Sequence, residues 1–192
     1  SGIVFNDDGS KVFLTNLNTD TIYEFDLSTN YLISSATYND ANFHPTENSF
    51  DSINGITFND DGTRLYVVES NLDDIHQYTL STAYDLDSTI TYEGTFDGND
   101  TEGIRTKYRS AGVSNSTQAG IATHISFNND GTKFFVSTGK HVDDSNRQFI
   151  LEYSLSVPYQ VIDVAPILTS SSPADDATDI EVDSNITLTF SE

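Results

Sequence analysis

The chain has no cysteine, no methionine and no tryptophan among its 192 residues, and only four prolines. Without thiols there is no disulfide staple, no thiolate nucleophile and no cysteine-based zinc site, and the redox compartment cannot be read from cysteine usage. Basic residues are scarce too. Eight Lys and Arg stand against 30 Asp and Glu, a formal net charge of −22. Such a surface repels phosphate backbones and anionic bilayers, which argues against a nucleic-acid partner. No apolar run approaches the ~20 residues of a membrane-spanning helix. Runs of the strong helix formers are missing as well. What is abundant is Thr, Ser, Asn, Asp and Gly, interleaved with Phe, Tyr, Ile, Leu and Val. That mixture favours strands joined by tight polar turns. The acidity fits solubility in salty water and a loose atmosphere of divalent cations; a specific calcium site would need the carboxylates to converge.

One phrase occurs three times. "GIVFNDDGSKVFL" begins at Gly2, "GITFNDDGTRLYV" at Gly55 and "HISFNNDGTKFFV" at His124. Aligning Phe5, Phe58 and Phe127 also aligns Gly9, Gly62 and Gly131, and the basic residues Lys11, Arg64 and Lys133. Downstream, "TIYEFDLSTNY", "DIHQYTLSTAY" and "FILEYSLSVPY" superpose through Leu27, Leu80 and Leu155, then Tyr31, Tyr84 and Tyr159. Each copy reads as strand, turn, strand, polar gap and third strand. A short fourth strand is expected at 34–38 and 88–96. Four antiparallel strands per copy is the signature of a β-propeller blade. Phe5 to Phe58 is 53 residues and Phe58 to Phe127 is 69, so an insertion at 97–121 separates the second and third copies. The copies span about 1–38, 53–96 and 122–163, together a propeller region of 1–163.

These phrases resemble the YVTN-type β-propeller repeat of bacterial and archaeal surface proteins and of lactonase-like propellers. They are closer still to "DGT…YDLST" repeats in large exported proteins of marine bacteria. The resemblance implies an all-β fold with an extracellular or cell-surface location. The segment 164–192, with "PILTSSSPADDATDIEVDSNITLTFSE" at 166–192, is similar to the start of a bacterial Ig-like domain. Two strands cannot bury a sandwich core, and three blades fall short of the typical four to eight of a closed ring. The expectation is therefore a piece of a longer chain, or a ring completed by further blades or by a homo-oligomer.

The candidate sites are few. The Asn-Asp-Asp-Gly stretches are explained by turn chemistry: Asn and Asp bond their own backbone, and Gly supplies the positive φ a hairpin needs. "DGNDTEG" at 97–103 gathers Asp97, Asn99, Asp100 and Glu102, a loop set of oxygen ligands that calcium could use. The spacing is not that of an EF-hand, and a solvated loop is the plainer reading. Arg105, Lys107 and Arg109 alternate along "GIRTKYRSAG", a candidate contact for an anion or an acidic surface, with local charge balance as the alternative. The acid-rich gaps at 71–74 and 142–146 are read in the same way as 97–103, as plain surface by default with a bound cation as the alternative. The four histidines fall at different repeat phases, His76 on a strand where the first copy has Tyr23. No Ser-His-Asp order or zinc spacing stands out. The sequence thus points to a non-enzymatic binding, adhesion or structural module with a protein or carbohydrate ligand. The alternative is a lactonase-like or metal-assisted propeller hydrolase.

Overall fold

A computed structural model describes residues 2–47, 50, 52–98, 103–105, 122–139, 150–162, 168–172 and 187–190. Alternating apolar and polar residues build antiparallel meanders. The first sheet runs β1 (Ile3–Phe5), β2 (Lys11–Asn16), β3 (Thr21–Leu27), β4 (Ala36–Phe43) in that spatial order. The second repeats it with β5 (Ile53–Phe58), β6 (Arg64–Glu69), β7 (Asp74–Leu80), β8 (Ile90–Phe96). The third has three strands among the described residues, β9 (Ala122–Phe127), β10 (Lys133–Thr138) and β11 (Ile150–Ser154). The fourth strand of the first copy ends at Phe43, five residues beyond the expected 38. A register shift near Tyr23/Phe25 keeps it paired with β3 over that length.

The chain divides into two compact units, Ser1–Ile162 and Asp163–Glu192. In the second, β12 (Leu168–Ser172) pairs antiparallel with β13 (Thr187–Phe190). The described residues of this unit form a two-stranded sheet.

Within the first unit, the middle sheet is apolar on both faces, so alternate residues of one strand enter different cores. Leu65, Val67 and Tyr78 pack against Phe13, Ile22 and Ala41 of the first sheet. Tyr66, Val68 and Ile75 pack against Ile125, Phe134, Val136 and Tyr153 of the third. Fully burying one such side chain contributes about 1.5–3 kcal/mol, so the two interfaces between sheets are the main cohesive element. The first strands of the sheets lie closest together: Thr15 Oγ1 donates to the Asn54 carbonyl at 3.2 Å, and Asn54 Nδ2 to the Ala122 carbonyl at 3.2 Å. A Cβ on Gly55 would lie 2.6 Å from the Thr123 carbonyl oxygen and 2.7 Å from His124 Cα, so only glycine lets these strands approach. Successive antiparallel sheets, stacked face to face with their first strands converging, make an all-β, propeller-like fold.

Candidate functional site

The three recurring turns share one construction. In each, the Asn side chain accepts from the backbone amide five residues on: Lys11, Arg64 and Lys133, all at 2.8 Å. The second Asp accepts the amide two residues later, Ser10 at 2.9 Å, Thr63 at 2.9 Å and Thr132 at 3.1 Å. Hydrogen bonds from the Ser10, Thr63 and Thr132 side chains and backbone hold Asp8, Asp61 and Asp130 below the ordinary carboxylate pKa of 3.8. The acids are spent on the backbone, as turn chemistry requires.

The late tyrosine of each copy closes the turn. Gly9, Gly62 and Gly131 have φ of 71°, 71° and 68°, and Tyr31, Tyr84 and Tyr159 have φ of 61°, 54° and 60°. Each tyrosine amide donates to its glycine carbonyl, at 2.8, 3.0 and 2.9 Å, and its ring lies against the glycine, where a Cβ would come within 2.2–2.6 Å of ring carbons.

The same tyrosines are where one blade grips the next. Lys11 Nζ donates to the Tyr84 carbonyl at 3.0 Å and pairs with Glu24 at 2.5 Å, while Glu24 Oε2 accepts the Leu86 amide at 2.8 Å. One blade on, Arg64 donates to the Tyr159 carbonyl at 3.1 Å and Gln77 Oε1 accepts the Val161 amide at 3.0 Å. Each latch thus takes a tyrosine carbonyl and the amide two residues later. In the third blade the equivalent pair, Lys133–Glu152 at 2.5 Å, has side chains 43% and 52% exposed. At the other end, Leu14, Tyr23 and Phe25 line an open groove on the first blade. Their equivalents Val67, His76 and Tyr78 are buried against a preceding blade.

The basic and acidic residues singled out around the insertion separate into described and undescribed positions. Arg105 donates to Asp73 Oδ2 and to the Asn71 carbonyl, both at 2.7 Å, and Asp73 Oδ1 accepts the Ala122 amide at 2.7 Å. Asp97 is exposed. Lys107, Arg109, Asn99, Asp100, Glu102 and the gap at 142–146 lie outside the described residues.

The polar gap at 71–74 departs from its reading as surface, because Asp73 and Asp74 are buried. The second blade's hairpin carries them beneath the returning chain at Gly98, whose amide donates to Asp74 Oδ1 at 2.8 Å. Here the fold assembles a group that sequence spacing did not reveal. Glu69, Asp74 and His76, all buried, each offer a ligand atom within 4.8 Å of the others. Strand register explains the grouping: Glu69 sits opposite Asp74, and Asp74 and His76 share a face two residues apart. The usable signal was the Asp-x-His alternation beside a Glu that closes the same hairpin. Burial pushes the His76 imidazole down to about 4, against a weaker upward pull from Glu47. Burial raises Asp74, countered chiefly by the Gly98 amide.

No protein-family model matches the chain, and no curated protein matches it. Solved structures do. A candidate 6-phosphogluconolactonase of Bacteroides uniformis superposes with a TM-score of 0.50 at 16% identity, over 80% of this chain and 36% of its own. A luciferin-regenerating enzyme matches with 0.52 at 14%, over 82% and 45%. A Lactobacillus plantarum protein matches with 0.50 at 14%, over 80% and 40%. The chain spans less than half the length of each. At such identities the likeness is one of fold, and it agrees with the geometry: the chain is an all-β, propeller-like protein.

Proposed function

We infer that the protein is a non-enzymatic binding or structural module of an exported or cell-surface protein, and that its end blades engage further blades. The observation that carries this reading is the latch. Two internal copies grip the following blade, and the third presents the same Lys–Glu pair at the surface. The groove of Leu14, Tyr23 and Phe25 supplies the complementary face at the other end. Both surfaces are built for protein contact, and another blade of the same repeat, from a longer chain or a second copy, fits them. Acidity and repeat type favour an extracellular setting, and 164–192 would begin an Ig-like neighbour. On this reading the 97–121 insertion is the most distinctive loop for a protein or carbohydrate ligand, through Arg105, Lys107 and Arg109. Asp97, Asn99, Asp100 and Glu102 would hold calcium there. No described helix is long and apolar enough to cross a membrane.

A lactonase-like or metal-assisted hydrolase is the second reading, favoured by the name of the Bacteroides neighbour and by the buried Glu69–Asp74–His76 group. Two measurements on the 192-residue chain separate them. Light scattering should detect self-association that Phe25→Asp abolishes, with no hydrolysis of lactones or aryl esters in the presence of divalent cations. Lactone turnover lost on one substitution, in a chain that stays monomeric, would overturn the module reading.

A further inference from the structure

We propose that Glu69, Asp74 and His76 are the protein ligands of a divalent d-block cation, with zinc as its representative. The three side chains come from the β6–β7 hairpin and face the first blade. They are 2%, 8% and 2% exposed, and their ligand atoms lie within 4.8 Å of one another. Tetrahedral N/O ligands at about 2.1 Å from zinc stand about 3.4 Å apart, so modest side-chain rotation would close the set.

Each member is oriented by a bond that leaves ligand capacity. Glu69 accepts the Asn71 amide at 2.9 Å on one oxygen and the Leu72 amide at 3.0 Å on the other. Asp74 accepts the Gly98 amide on Oδ1. A carboxylate oxygen has a second lone pair, so these amides aim the groups without exhausting them. His76 supplies the independent observation. Its Nδ1 lies 3.1 Å from Thr95 Oγ1, which is itself 2.5 Å from the Tyr92 hydroxyl, and its ring packs on Phe50 at 4.9 Å. Its Nε2 is buried with no hydrogen-bond partner. In the tautomer whose Nδ1–H donates to Thr95 Oγ1, Nε2 carries a bare lone pair, the form that binds a metal. Buried polar atoms are otherwise almost always paired.

The ligand chemistry selects the ion. Calcium and magnesium prefer sites built from oxygen alone, whereas an imidazole with carboxylates suits zinc and its neighbours. Three protein ligands leave a position for water. The site is independent of the blade-docking reading, and either can fail alone.

The test uses the 192-residue chain after chelator treatment, titrated with zinc chloride calorimetrically. The expected result is one zinc per chain, with affinity falling at least tenfold in His76→Leu, the residue that the third repeat carries at Leu151. The leucine keeps the strand and its packing but removes the nitrogen. In the wild-type chain, nitrogen-resolved NMR should show the His76 ring signals shifting on zinc addition, a readout that does not require the variant to fold. Equal zinc affinity in both chains, or unmoved His76 signals at saturation, would overturn the proposal and leave only diffuse attraction to an acidic surface.

Discussion

Replacing Gly62 by Ala tests the tyrosine-on-glycine turn directly. Gly62 has φ of +71°, a conformation that costs an L-residue about 1–2 kcal/mol. The added methyl would also occupy the space of the Tyr84 ring. Moving that ring is expensive because Tyr84 is fixed at both ends. Its amide donates to Gly62, its carbonyl accepts from Lys11, and its hydroxyl donates to Asp7 Oδ1 at 3.0 Å. Overpacking of this kind costs typically about 1–3 kcal/mol. Gly62→Ala should therefore destabilise the chain by about 2–5 kcal/mol, a large share of the ~5–15 kcal/mol of an ordinary domain. The assay is urea unfolding followed by far-UV circular dichroism, run on Gly62→Ala, Tyr84→Ala and the double variant. Removing the ring removes the clash but not the backbone strain. The double variant should thus be more stable than the sum of single effects predicts, by about 1–3 kcal/mol. A loss below about 0.5 kcal/mol for Gly62→Ala, or strict additivity, would refute the account.

The interblade latch predicts unequal costs for equivalent residues. Glu24 is 1% exposed and holds Lys11, the Leu86 amide and Asn39 Nδ2. Glu24→Ala should cost about 3–5 kcal/mol by leaving buried partners unpaired, whereas Lys133→Ala, at an exposed pair, should cost under ~1 kcal/mol; equal losses in chemical denaturation would contradict the latch. The turn aspartates predict an acid limb. With folded pKa values held below 3.8 at Asp8, Asp61 and Asp130, their stabilisation is present above 3.8 and lost as pH falls through the folded values. Thermal melts below that pH should fall more steeply for the wild type than for the Asp8→Asn/Asp61→Asn/Asp130→Asn variant, and identical slopes would show that the turns carry no such linkage.

What the sequence made legible was whatever lies within one repeat. Strand, turn and strand are local, and period-2 alternation with Asn-Asp-Gly chemistry is enough to read them. The alignment of Lys11, Arg64 and Lys133 was visible as well, but not its purpose, because the partner of Lys11 and of Arg64 is a backbone carbonyl in the next copy. The polar gap at 71–74 was misread for a related reason. Asp73 and Asp74 look like loop acids until the chain returning at Gly98 and Ala122 covers them, and burial of that kind is a property of long-range topology. Glu69, Asp74 and His76 occupy three different roles in the sequence pattern, a strand end, a strand start and a strand interior, and only cross-strand register makes them one group. The repeat therefore explains its own exceptions. Where the first copy has Asn16, Thr21 and Tyr23, the second has Glu69, Asp74 and His76 at the same three positions. Three substitutions on one patch of one blade bring three metal-ligand types together, while Glu69 and Asp74 still bond the hairpin's own amides and the returning chain.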